Sequence, residues 1–250
     1  MVRKLSEDRN GVNPIKRSGE MIRNRIDIEG IPAIVWGNPS DKVWLCVHGK
    51  MSSKEAFATL AEIAERKGYQ TLSFDLPQHG ERKEESPQCD IWSGKRELPL
   101  IADYAFRRWK EVSLYGCSLG AYFSLNAYPG CGFQKCLFQS PILDMEYLVR
   151  QMMLWFGITE ERLEREKEID TPIDLMTWDY YRYVLDHPVR AWDIPTHILF
   201  GGKDDLQTMD IVKSFAQRFG CGVTVSPDSA HPFMEAADIP ILRQWLEDNL

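Results

Sequence analysis

The sequence predicts an α/β fold organised on a doubly wound, mostly parallel sheet. Three observations predict it. Apolar runs of strand length recur at residues 43–47, 69–74, 112–115, 134–138, 196–200 and 222–226. Helix-period segments separate most of these runs at the spacing of βαβ units. Several runs also end directly in loops of Gly, Pro, Asp, His and Ser, at the sheet edge where such folds collect functional groups.

The elements follow in chain order. Residues 1–19 are polar, carry Gly11, Pro14 and Gly19, and read as an arm or a surface helix. Residues 23–29 alternate and residues 30–36 form a second β run, so Glu29-Gly30 marks a hairpin turn. Residues 43–47 suit a strand buried on both faces. They run into His48-Gly49-Lys50-Met51, and a helix follows to Lys67, stopped by Gly68. The strand 69–74 enters the loop Asp75-Leu-Pro-Gln-His79-Gly80. Residues 83–95 are charged and irregular, and 97–109 read as a helix with Pro99 in its first turn. The strand 112–115 breaks at Gly116-Cys117-Ser118-Leu119-Gly120 into a helix ending near Gly130. A serine on such a break is held in strained backbone geometry, with helix amides and the positive dipole end beside it. After the strand 134–138, residues 142–193 lose the sheet rhythm: 144–156 is rich in large apolar side chains, 159–170 is nearly all charge with pairs such as Glu161–Arg165, and 175–185 is aromatic. The rhythm resumes with a strand at 196–200 that ends in Gly201-Gly-Lys-Asp204-Asp205. A helix at 209–219, a strand at 222–226, the loop through His231 and a closing helix at 233–250 complete the chain.

Composition narrows the classes of function. At 250 residues, 44% apolar and 27% charged, the chain has the composition of an ordinary soluble globular protein and length for one large α/β domain or two small ones. The formal net charge of −7 argues against nonspecific nucleic-acid binding, which needs clustered Lys and Arg. No apolar run is long enough to span a bilayer, and the charged N-terminus has no apolar core of a secretory signal, so a cytoplasmic protein is expected. The six cysteines form no C-x-x-C pair and read as buried, reduced thiols. No His/Cys/Glu spacing suggests a metal, and no organic cofactor is implied.

Ser118, Asp204 and His231 each stand just beyond a strand, in that order. A serine hydroxyl needs a base near neutral pKa, and that histidine needs a carboxylate to fix its tautomer. Each has competitors. Ser118 could cap a helix. Asp205 and Asp144 are alternative acids. His48, His79, His187 and His197 are alternative histidines, although His231 alone follows the last strand. Cys117 reads as packing.

Over nearly its whole length the chain resembles the α/β-hydrolases. The motifs are His48-Gly49, Asp75-x-Pro-x-His-Gly80, Gly116-x-Ser118-x-Gly120, Gly201-Gly-Lys-Asp204 and Ser229-Ala-His231-Pro-Phe. The resemblance implies an eight-stranded sheet with an antiparallel second strand and flanking helices. It also implies a core of residues 1–141 and 194–250, with a small helical cap, 142–193, inserted after the sixth strand. The family's G-x-x-D spacing favours Asp204 as the acid. An oxyanion hole is implied from the N–H of Leu119 and one in the 48–51 loop, with Lys50 favoured. The cap side chains Met152, Trp155, Phe156, Trp178 and Tyr181, with Met51, are candidates to line an apolar pocket, although apolar helix stripes commonly just bury themselves. The expected activity is that of a serine hydrolase on a small-molecule ester or related acyl compound. Thioesterase, amidase, peptidase and carbon–carbon bond hydrolase remain alternatives on the same triad, and a non-catalytic small-molecule-binding protein is an alternative of another class.

Overall fold

A computed structural model describes residues 21–86 and 88–250. The surface arm read at residues 1–19 lies outside the described residues, as does the charged N-terminus weighed as a signal. The chain opens with a hairpin of β1 (Arg23–Ile28) and β2 (Ile31–Trp36), registered so that Ile28 faces Ile31. Both turn residues, Glu29 and Gly30, hold positive φ, the backbone twist that matches two adjacent antiparallel strands. The remaining sheet strands are β3 (Lys42–Val47), β4 (Gln70–Phe74), β5 (Glu111–Cys117), β6 (Cys136–Gln139), β9 (Thr196–Gly201) and β10 (Gly222–Ser226). Their order across the sheet is β1-β2-β4-β3-β5-β6-β9-β10, and β2 alone runs against its neighbours.

Alternation along β3 shows how the core is divided. Val43, Leu45 and Val47 enter one apolar cluster with Leu98, Ile101 and Ala105 of α2 (Ile91–Arg108), Phe123 of α3 (Leu119–Ala127) and Val212 of α7 (Met209–Phe219). Trp44 and Cys46 enter the opposite cluster with Leu60 and Ile63 of α1 (Ala58–Arg66) and Trp245 of α8 (Asp238–Asn249). Both faces are therefore covered, which is why this strand reads as an unbroken apolar run.

Four expectations are corrected. The helix read at 97–109 begins six residues earlier, at Ile91. Asp90 accepts from the Ser93 N–H at 2.8 Å, and the Ser93 hydroxyl accepts from the Asp90 N–H at 3.0 Å. Pro99 then lies inside the helix, at an exposed position. The closing helix starts at Asp238 rather than 233, because Phe233 holds φ 69° and cannot be helical.

The insertion between β6 and β9 is not wholly helical. It contains α4 (Met145–Trp155), α5 (Glu160–Glu166), strands β7 (Glu168–Asp170) and β8 (Leu175–Thr177), and α6 (Trp178–Asp186). Lys167 turns out of α5 at φ 67°, and β7 pairs antiparallel with β8 around a turn in which the Thr171 hydroxyl donates to the Asp174 carbonyl. The helical ion pair in α5 is Arg162–Glu166, at 3.1 Å, not Glu161–Arg165. No helix among the described residues is long and apolar enough to cross a membrane.

Candidate active site

Ser118 joins β5 to α3 at φ 51° and ψ −118°, a strained conformation for a residue with a Cβ. Its neighbours explain the glycine pattern. A Cβ at Gly120 would sit 2.4 Å from the Val47 carbonyl oxygen, and one at Gly116 would meet Phe138 and the Ala121 backbone at 3.0 Å. Only glycine lets the elbow press against the end of β3. Ser118 does not cap α3 with its side chain. Its Oγ lies 2.8 Å from His231 Nε2 instead, which removes the capping interpretation.

His231 follows β10 in a loop that brings its ring back over β5. Its Nδ1 lies 2.8 Å from Asp204 Oδ2. The other carboxylate oxygen of Asp204 accepts the N–H groups of Leu206 at 2.9 Å and Gln207 at 3.2 Å. Both oxygens are thus occupied, so the carboxylate cannot rotate freely and its Oδ2 stays aimed at the ring. The Asp204 side chain is fully buried. With Nδ1 donating to a carboxylate, the neutral ring presents a bare Nε2 to the serine hydroxyl. Asp144 is occupied elsewhere, capping α4 by accepting from the Tyr147 N–H at 2.9 Å. The structure therefore brings Ser118, His231 and Asp204 together, and places neither Asp144 nor Asp205 on His231. Cys117, next to the serine, has its thiol pushed up to about 12 by burial and then by Asp204, so it remains protonated.

The 48–51 loop packs against the elbow: a Cβ on Gly49 would lie 3.0 Å from that of Ser118. Two histidines hold the loop. His48 Nδ1–H donates to the Gly49 carbonyl at 2.7 Å, while its Nε2 accepts from the Leu76 N–H at 3.0 Å. His79 Nδ1–H donates to the Pro77 carbonyl at 2.8 Å, and its Nε2 accepts from the Met51 N–H at 3.0 Å. Both rings must be neutral to accept these bonds, and burial lowers His48 to about 4. The Met51 N–H is consumed by His79. The N–H groups of Lys50 and Leu119 have no protein acceptor among the described residues. The Lys50 ammonium pairs with Asp174 at the tip of the β7–β8 turn, linking this loop to the insertion.

Ser118 and Leu119 open on a cavity of about 490 Å³. Met51, Met152 and Trp155 line it, together with Leu148, Met176 and Leu206, which the sequence reading did not select. Phe156, Trp178 and Tyr181 do not line it. Tyr181 is fully buried with its hydroxyl donating to Glu160 at 2.9 Å, and Trp178 packs on Tyr181 at a ring separation of 5.8 Å. The cavity thus takes one face of α4 and the short hairpin, while α6 turns Trp178 and Tyr181 away from it. The β7–β8 contribution was not visible in the sequence because three-residue strands show no alternation pattern. Gln207 was also missed: its amide accepts from the N–H groups of Leu143 and Asp144 and donates to the Asp144 carbonyl, tying the Asp204 loop to the root of the insertion. No group of three or more His, Cys, Asp or Glu among the described residues could hold a metal ion, and all six cysteines are unpaired.

No family model matches this sequence, and no curated protein matches it. Solved structures do. Est1E from Butyrivibrio proteoclasticus with ferulic acid bound superposes with a TM-score of 0.72 at 17% identity, over 90% of this chain and 96% of that one. Mouse alpha/beta hydrolase domain-containing protein 10 gives 0.72 at 17% identity, over 91% and 97%. The Pyrococcus furiosus esterase Pf2001 gives 0.64 at 18% identity, over 92% and 90%. Identities this low speak for architecture alone, and the architecture is clear: the chain has the α/β-hydrolase fold.

Proposed function

We propose that this chain is a serine hydrolase that cleaves carboxylic esters with an apolar acyl group. The observation that carries the proposal is the hydrogen-bonded line from Asp204 through His231 to Ser118, 2.8 Å at each step, beside an apolar cavity. Ser118 Oγ attacks the ester carbonyl while His231 Nε2 takes its proton. Asp204 holds the tautomer and stabilises the imidazolium that forms. The N–H groups of Lys50 and Leu119 receive the oxyanion, where loss of one donor typically costs ~3 kcal/mol of transition-state stabilisation. His231 returns the proton to the leaving alcohol, and water attacks the acyl-enzyme by the same steps in reverse order of roles. The insertion acts as the cap, and its Met-rich wall accepts an acyl chain of adaptable shape.

Pf2001, described as an esterase, favours the ester among possible acyl compounds. A series of p-nitrophenyl esters of rising chain length, run beside a thioester and an aminoacyl amide, tests the proposal. Turnover of the esters is expected, with KM falling as the chain lengthens until the cavity is filled. Preference for the thioester or the amide would reassign the bond. Binding of the esters without turnover would leave a small-molecule-binding protein.

A further inference from the structure

Gln139 is the last residue of β6, the strand between the one that carries Ser118 and the one that leads to Asp204. Three bonds meet on it. Its main-chain carbonyl accepts from the Ser118 N–H at 3.1 Å. Its side-chain Oε1 accepts from the Tyr115 hydroxyl, and its Nε2 donates to the Pro232 carbonyl at 2.5 Å. The orientation of the amide is forced. A carbonyl can only accept, so the NH₂ group faces Pro232, and the oxygen must then face Tyr115. Both Gln139 and Tyr115 are buried, so little solvent can replace either bond. Burial also holds the Tyr115 hydroxyl protonated, as a donor.

Pro232 is covalently next to His231. Asp204 fixes one nitrogen of the imidazole, but it does not by itself fix how far the ring stands from Ser118. That distance depends on where the 231–232 backbone sits relative to the elbow. Gln139 grips both, the elbow through its main chain and the His231 loop through its side chain.

We propose that Gln139 is a positioning residue that sets the His231–Ser118 distance by holding the Pro232 carbonyl and the Ser118 amide at once, with Tyr115 orienting its side chain. The proposal rests on the serine-hydrolase reading for its effect on rate, but the placement of the imidazole can be read without turnover. A purely architectural Gln139 would alter stability and leave the His231 hydrogen bonds as they are.

The test compares wild type, Gln139→Glu and Tyr115→Phe. Gln139→Glu keeps the shape and the acceptor for Tyr115 but sets a carboxylate against the Pro232 carbonyl. The first measurement is NMR of the His231 Nδ1–H shared with Asp204, assigned by its loss in a His231→Gln variant. Exchange of that proton with solvent is expected to quicken tenfold or more in Gln139→Glu, and to a smaller extent in Tyr115→Phe. The second is p-nitrophenyl acetate hydrolysis, where kcat is expected to fall tenfold or more with KM within twofold. The Tyr115→Phe/Gln139→Glu double variant is expected to be no worse than Gln139→Glu alone, because both act through one amide. Unchanged proton exchange in both folded variants would overturn the proposal, whatever the activity. If Gln139→Glu does not fold, Tyr115→Phe decides by the same readout. A wild type that hydrolyses no ester, thioester or amide would sink the hydrolase reading while the exchange comparison still stands.

Discussion

At the scale of single residues, position alone separates carboxylates that the sequence left in competition. Asp204 touches His231, Asp144 caps α4, and Asp205 touches neither. Asp204→Asn should keep the Oδ1 acceptor for Leu206 and Gln207 while presenting an NH₂ to His231, which forces the wrong tautomer. A loss of about 10⁴ in kcat with little change in stability is expected. Asp144→Ala should do the reverse, costing about 1 kcal/mol as a lost helix cap with kcat unchanged. Parallel kinetics and denaturant titrations of the two variants check both. His48 gives a pH signature. Its ordinary value near 6.5 falls to about 4 in the folded chain because burial disfavours the charged ring. The unfolded chain binds the extra proton first as pH falls, so stability is full above about 6.5 and declines toward 4, by about 3 kcal/mol for this group. Urea midpoints at pH 7 and pH 4 should differ less in His48→Asn than in wild type. That Ser118, Asp204 and His231 would stand at strand ends was legible, and the structure hydrogen-bonds the three in a line. The partners that hold them in place, Gln139 and Gln207, were not: a glutamine's role depends on which atoms lie across the fold, and nothing local encodes that.

At the scale of elements, the elbow is held by contact between backbones. Gly120 sits against the carbonyls of Val47 and His48, at 2.4 and 2.5 Å from the position a Cβ would take. Gly120→Ala must push the start of α3 away from β3, and with it the Leu119 N–H. A loss of several kcal/mol of stability, of the size seen for overpacked sites, is expected together with a fall in kcat in whatever fraction still folds. Thermal unfolding and active-site titration measure the two parts. Long or strongly patterned elements were readable: α7 and β10 fall where apolar periodicity set them. Two kinds of local signal misled. Pro99 looked like a helix start, yet it rides inside α2 because the Asp90–Ser93 box begins the helix earlier. The charged segment through Asp170 looked wholly helical, yet Lys167 leaves the helix and the next three residues pair with Leu175–Thr177. Tertiary pairing of so short a strand overrides propensity.

At the scale of the whole molecule, β3 and β5 lie mid-sheet with both faces covered, and their C-terminal ends deliver the 48–51 loop and Ser118 to one place. The late strands β9 and β10 deliver Asp204 and His231 to the same edge, from more than eighty residues further along the chain. Strand count and the antiparallel second strand were implied by the resemblance to the α/β-hydrolases that the strand-end motifs carry, and the sheet has both. Which insertion side chains face the cavity did not follow, since periodicity gives a helix two apolar faces and only packing chooses between them. We propose that this assembled edge activates Ser118 as a nucleophile. Reaction of the folded protein with a fluorophosphonate, read by peptide mass spectrometry, tests it most directly. One adduct is expected, on Ser118, absent after Ser118→Ala or prior unfolding, and formed at least a hundredfold more slowly in His231→Gln. No adduct on Ser118 in the folded protein, or labelling at the same rate in His231→Gln, would contradict it.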